Sequence, residues 1–434
     1  EKVLVKIMEN TDSEINNSQF TGKIIRKINS RPKTLLGVLK LGGKNSVILP
    51  INKKDKNKYH VVKNRLNAID GELVEAEIIN RRNKLSGNDV ILIKRLTPNK
   101  ITNFRSSIAL EQHYIPQEFF EKVTFEANEV ASQKIINPTD LTQVPFISID
   151  PDDARDHDDA IYAELDQQEK DQYNVWVAIA DVAKYVLPGS YIDKEAYARG
   201  NSTYLPDLVV PMMPKILSSE ICSLKQGKRR ACIVVKMSIN RDGKKISHQF
   251  FRAVIKNRFA VSYEEAQRAL KPLKVTDKIP RLTQLIQPLY KVYKLIEQQK
   301  KLRQPIELEL DEPSMSFDKS GNVKSIKMRK RLETHKIVEE LMILANTCAA
   351  ETIENNNLTF LYRVHMPPEF GKLLTLKNLA RSLNIKFKSS TTISSKHLNT
   401  LLNNGKRKGL SKLISANILR SMSQAQYSPK KAGH

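Results

Sequence analysis

Tryptophan and cysteine are nearly absent from this sequence: one Trp and three Cys in 434 residues. Cys222, Cys232 and Cys348 stand far apart, with no CxxC pair. That spacing argues against a zinc ribbon and a disulfide framework, and it fits a reducing compartment such as the cytoplasm. No apolar run approaches the roughly 20 residues that a membrane-spanning helix needs. No signal-peptide pattern is visible at the start. Acidic residues are also in deficit. Lys and Arg number 72 against 47 Asp and Glu, a formal charge of +25. A surplus of that size points to an acidic polymer as partner, most often nucleic acid. The plainer alternative is a Lys-rich surface that only keeps the chain soluble.

The deficit is uneven. Residues 370–434 hold thirteen Lys or Arg and no acid at all. Residues 141–180 hold ten acids and only Arg155 and Lys170 against them. An acidic island in a basic chain is what a cation site within a polyanion-binding surface looks like. An acidic loop that merely offsets the basic surface is the competing explanation.

Residues 19–98 read as five short strands, at 19–28, 34–41, 46–51, 72–79 and 89–96, rich in β-branched residues and punctuated by Gly42-Gly43 and Gly87-Asn88. Five strands in a basic stretch suit a small OB-like barrel, a fold that binds single strands. With Phe20 and Tyr59 its main aromatics, backbone contact by Lys and Arg is expected there rather than stacking. Residues 99–140 read as a connector with a helix near 117–134, and 141–434 as an α+β region. Apolar residues at helical spacing predict helices at 281–302 (Leu282, Leu285, Ile286, Leu289, Val292, Tyr293, Ile296) and 332–353 (Ile337, Leu341, Leu344, Ala345, Cys348).

The informative stretch runs from Phe146 to Tyr162. Asp150, Asp152, Asp153, Asp156, Asp158 and Asp159 put six carboxylates in ten residues between two apolar strands. Like charges this close raise one another's pKa unless a cation neutralises them. A hard divalent cation with oxygen ligands answers that need. A calcium loop of EF-hand type starting at Asp150 fails, because its sixth position is Arg155 and its twelfth Ile161. A non-standard calcium loop and a solvated acidic turn stay open. Magnesium for phosphodiester chemistry suits a chain built for polyphosphate, since two ions about 3.5–4 Å apart can serve the attacking and leaving oxygens.

The segment Ile149-Asp150 to Asp159-Ala160 resembles the signature of the ribonuclease II and ribonuclease R family, nearer ribonuclease R. The resemblance continues through Val177–Val182, Arg199–Pro206, Val210–Pro214, Leu217–Leu224, His335–Asn346, Leu361–His365 and Leu419–Pro429, and covers about residues 105–434. It implies a magnesium-dependent (manganese possible) hydrolytic 3′→5′ exoribonuclease that releases nucleoside 5′-monophosphates from single-stranded RNA. It implies an α+β multidomain fold, a five-stranded OB or cold-shock-like barrel followed by an incomplete catalytic domain of the RNB type. Residues 1–18 are then the end of a preceding cold-shock-like domain, 19–98 the barrel, 99–140 the connector and 141–434 the catalytic domain. By resemblance Asp150, Asp156, Asp158 and Asp159 hold metal and promote hydrolysis. Tyr204 stacks on the 3′-terminal base, and Tyr362, where the family usually has Phe, is the other jaw. Arg199 either contacts phosphate or pairs with a carboxylate. His157 is expected to be a spectator, His335 and Glu339 capping or core residues, and Asp181 a structural hydrogen-bonding group. The motif Tyr-Ser-x-x-x-x-Gly-His is present as Tyr427 to Gly433-His434. The family's following arginine motif and C-terminal OB domain are not in the sequence. The expectation is a truncated, weakly active monomer in the cytoplasm, with a catalytically impaired RNA-binding remnant as the alternative.

Overall fold

In the computed structural model, the backbone is described from Lys2 to Lys430 except at 10–19, 29–33, 43–45, 52–54, 65, 80–88, 96–105, 107–108, 111–112, 114, 136–137, 170, 271–278, 311–312, 319–322, 329 and 388–392. Side chains are described from Thr34 onward at the same positions, less 279, 280 and 317. Gly433 and His434, on which the family motif ends, lie outside the described residues. The chain divides into two units, Glu1–Glu118 with Thr203–Val210, and Phe119–Ser202 with Pro211–His434.

The first unit contains a closed five-stranded barrel of Thr34–Lys40, Val47–Pro50, Tyr59–Lys63, Leu73–Ile79 and Asp89–Arg95. Alternate residues point inward, as a pleated strand requires, so Leu39, Ile48, Val74, Ala76, Val90 and Leu92 fill the interior. Two expectations are corrected here. The strand Phe20–Ile28 is not a barrel strand; it pairs antiparallel with Lys2–Glu9 in a separate sheet. The fifth barrel strand is Tyr59–Lys63, a short run beside the polar stretch 52–58 with too few apolar residues to announce itself. Tyr59 is buried in the barrel, and its hydroxyl donates to Asp55 Oδ2 at 2.8 Å.

The second unit is built on a seven-stranded sheet in the order Phe259–Ser262, Ile147–Asp150, Asp159–Leu165, Tyr173–Ala180, Arg229–Ile239, Lys245–Lys256 and Thr139–Asp140. The two outermost pairings are parallel and the interior ones antiparallel. Helices Tyr263–Leu270, Ile279–Arg303 and Glu333–Asn355 share one core with one face of the sheet. The opposite face packs on Val123 and Ala127 of the helix Glu121–Ala131 and on Ile192 of the helix Tyr191–Arg199. Tyr173–Ala180 is therefore covered on both sides, which is why it reads as a nearly continuous apolar run instead of alternating. Leu282, Ile286, Leu289, Val292, Tyr293 and Ile296 are buried on one side of the 25-residue helix, and Ile337, Leu341, Ala345 and Cys348 on the next, in agreement with the sequence periodicity. A separate core joins helices Phe370–Ser382, Ser395–Arg407 and Ser411–Ser421 around Leu376, Leu401, Ile414 and Ile418. Among the described residues no helix is long and apolar enough to cross a membrane.

Candidate active site

Asp150 ends a strand whose Ile147, Ser148 and Ile149 are buried. That strand lies parallel to Phe259–Ser262, with Asp150 opposite Ser262. Asp159 opens the next strand, opposite Ile179, and its neighbour Ala160 is buried. The acidic loop between them is held by polar bonds rather than left to splay. Ala154 N donates to Pro151 O at 3.0 Å, and Ala180 N to Asp158 O at 3.0 Å. Leu224 N donates to His157 O at 2.8 Å. His157 N donates to Ser223 Oγ, which in turn donates to Arg155 O, both at 3.1 Å. Ser223 and Leu224 follow the π-helical turn Ile216–Ile221, so a distant segment fixes the loop.

Asp150, Asp156, Asp158 and Asp159 are thereby gathered at one end of the sheet, close enough to sense one another. Burial pushes the Asp159 carboxyl up to about 7, and the charges of Asp150 and Asp158 add to the rise. Burial pushes Asp158 up to about 6, helped by Asp156 and Asp150. Asp158 keeps an exposed face, and Asp159 is the more enclosed of the two. Asp152 and Asp153 sit exposed on the outer part of the loop.

His157 is more than a spectator. Its Nδ1 lies 2.6 Å from Asp150 Oδ2, and that bond, ahead of the opposing effect of burial, raises the imidazole pKa. Tyr263, which no motif marked, also faces the cluster. Burial pushes its phenol up to about 12, with Asp159 and Asp150 contributing. Its ring stacks on His335 with centroids 3.8 Å apart and planes 9° apart. The one available sign was its place directly after the strand that carries Ser262. His335 Nδ1 accepts from Leu332 N at the helix start, and Glu339 pairs with Arg331, so these two serve capping and surface pairing.

Asp181 is buried, but the hydrogen-bonding role expected of its carboxylate is met at one oxygen at most among the described residues. Its Oδ2 lies 3.4 Å from Arg252 Nε, while Oδ1 has no hydrogen-bond partner among the described residues. Arg199 takes the pairing arrangement: its Nε donates to Glu195 Oε1 at 2.8 Å, its guanidinium lies 3.8 Å above the Phe119 ring, and its side chain is 4% exposed. Tyr204 is 66% exposed, on the short strand Thr203–Tyr204 that pairs with Val209–Val210, and it groups with the first unit rather than with the aspartates. Tyr362 is half-buried at the start of the strand Tyr362–His365.

Among the described residues no three acidic, imidazole or thiol side chains already converge as a ligand set. The donor chemistry nevertheless fits a hard divalent cation. Two of the carboxylates resist ionisation because they are buried, with neighbouring carboxylates adding to the rise, and a cation with oxygen ligands offsets both effects.

Residues 138–434 match the RNB domain. The ribonuclease R of Vibrio parahaemolyticus is 31% identical over 95% of this chain and 50% of its own length. That of Thermotoga maritima is 31% identical over 95% of this chain and 59% of its own length. The chain thus spans about half the length of the curated relatives it matches. The Mycoplasma genitalium RNase R solved with ribose-methylated single-stranded RNA has the same fold, with a TM-score of 0.81 at 23% identity over all of this chain and 68% of that one. With the aspartate-bearing sheet lying wholly inside the matched residues, this chain belongs to the RNB domain family.

Proposed function

We propose that this chain carries the hydrolytic centre of a 3′→5′ exoribonuclease that shortens single-stranded RNA and releases nucleoside 5′-monophosphates. The observation that carries the reading is the gathering of Asp150, Asp156, Asp158 and Asp159 at one end of a basic chain's central sheet, with Asp158 and Asp159 forced toward neutrality. Asp150, Asp156 and Asp159 are the residues that would hold magnesium, with manganese as a substitute. Bound there, the metal supplies charge neutralisation and Lewis acidity for phosphodiester hydrolysis. Asp158, on the exposed side of the cluster, orients the attacking water and takes its proton. His157 fixes one Asp150 oxygen through Nδ1. The exposed ring of Tyr204 and the ring of Tyr362 are each assigned to base stacking, which tolerates any base. Arg199 is occupied by Glu195 and Phe119 and is assigned to packing. The setting we assign is a reducing cytoplasm, consistent with Cys222, Cys232 and Cys348 all being free and buried, and the working form a monomer.

Release of mononucleotides from uniformly labelled poly(A), with and without magnesium, tests the reading against the Asp158→Asn variant. Loss of a positioned base lowers the rate by about 10²–10⁴-fold. RNA binding without degradation by either protein, at any magnesium concentration, identifies an RNA-binding remnant instead.

A further inference from the structure

The Tyr362 ring is tethered. Its hydroxyl donates a 2.6 Å hydrogen bond to Glu354 Oε1, and its ring rests on Phe360 with centroids 4.3 Å apart and planes 44° apart. Glu354 lies on the last turn of Glu333–Asn355, a helix locked into the core by Ile337, Leu341, Ala345 and Cys348. Tyr362 opens a strand held on Ala425–Ser428, with Val364 buried beneath it. Two rigid elements therefore meet through one phenol–carboxylate bond. A hydroxyl bonded to an ionised carboxylate is among the stronger hydrogen bonds. The same bond holds the Tyr362 phenol above its ordinary pKa. A phenylalanine here would stack but would have no tether.

We infer that Glu354 is a positioning residue: it holds the Tyr362 hydroxyl so that Phe360 and Tyr362 form a fixed two-ring shelf for the terminal base of an RNA chain. The inference rests on the stacking role given to Tyr362 above. Ordering a free side chain on binding subtracts from the gain of stacking, and a ring ordered beforehand avoids that loss. Glu354 also carries a negative charge that repels RNA phosphates. Removing the residue therefore has two opposed effects, with charge loss favouring RNA and tether loss disfavouring it. Glu354→Gln separates them, because its amide oxygen still accepts the hydroxyl while the charge is gone.

The test is binding of an oligoribonucleotide with 2-aminopurine at its 3′ end to the full chain in EDTA, followed by quenching of its fluorescence. Tyr362→Ala is expected to weaken binding about fivefold or more, the loss of one base–ring stack. Glu354→Ala is expected to weaken binding about threefold and to reduce the quench at saturation. Glu354→Gln is expected to match or exceed the wild type. Tyr362→Phe, which keeps the ring, drops the tether and leaves the Glu354 charge in place, should weaken binding at least as much as Glu354→Ala, and Glu354→Ala added to it should cause no further loss. This arm stands even where Glu354→Ala does not fold. Equal losses from Glu354→Ala in the Tyr and Phe backgrounds, or an unchanged Tyr362→Phe beside a weakened Tyr362→Ala, overturn the positioning role alone. An unchanged Tyr362→Ala removes the stacking reading itself.

Discussion

Asp159 titrates near 3.8 when unperturbed and near 7 in the folded chain. Between those values the folded protein keeps a proton that the unfolded chain has released. The unfolded state then binds fewer protons, so stability falls as pH rises through that window, and Asp158 adds to the trend up to about 6. Metal-free protein is expected to melt lower at about pH 8 than at about pH 5, by on the order of 2–4 °C. Magnesium should raise the melting temperature at the higher pH and have little effect at the lower, where the carboxyls are protonated. Asp159→Asn should raise the metal-free melting temperature at the higher pH and erase the magnesium response. Calorimetric scans in EDTA and in magnesium measure both effects, and a metal-free melting temperature that climbs with pH would contradict the linkage. The presence of the cluster was legible from residue types alone, since six carboxylates between apolar strands admit few explanations. The contacts of His157 and Tyr263 were not legible, because they depend on which atoms the loop and the neighbouring strand bring within reach.

Elements differ in how plainly the sequence declares them. The helix Ile279–Arg303 is marked by apolar residues every three or four positions, a pattern no strand reproduces. Leu289 is fully buried on it, so Leu289→Ala is expected to cost about 2–5 kcal/mol in urea unfolding. Strands declare themselves less well, because a β-branched run does not name its partner. Phe20–Ile28 reads as well for the barrel as for the hairpin it forms with Lys2–Glu9. The turn between Arg229–Ile239 and Lys245–Lys256 shows the same limit. Gly243 has φ +75°, and a Cβ there would run into Leu295 O on the long helix. The left-handed backbone and the closed space act together, so Gly243→Ala is expected to lower the unfolding free energy by about 2 kcal/mol or more. An unchanged urea midpoint for that variant would show that the helix can yield.

At the scale of the whole molecule the dominant quantity is the charge of +25. The logarithm of the affinity for single-stranded RNA should fall linearly with the logarithm of salt, the affinity dropping about tenfold or more between roughly 50 and 200 mM KCl. Asp158→Asn should leave that slope unchanged, because the slope counts phosphate contacts and not turnover. Fluorescence titrations at several salt concentrations give the slope for both proteins, and salt-independent binding would remove the electrostatic reading of the basic surface.

The sequence alone determined a basic chain with a barrel, an α+β catalytic-type region and a cluster of carboxylates, since composition, periodicity and local charge density are properties of neighbouring residues. It did not determine which strands close the barrel, that Ser223 and Leu224 pin the acidic loop, that Arg199 turns inward to Glu195, or that Glu354 reaches Tyr362. Each of these is a meeting of residues set by packing: burying one apolar face fixes the position of the other, and only then does a polar atom find the partner that its chemistry allows.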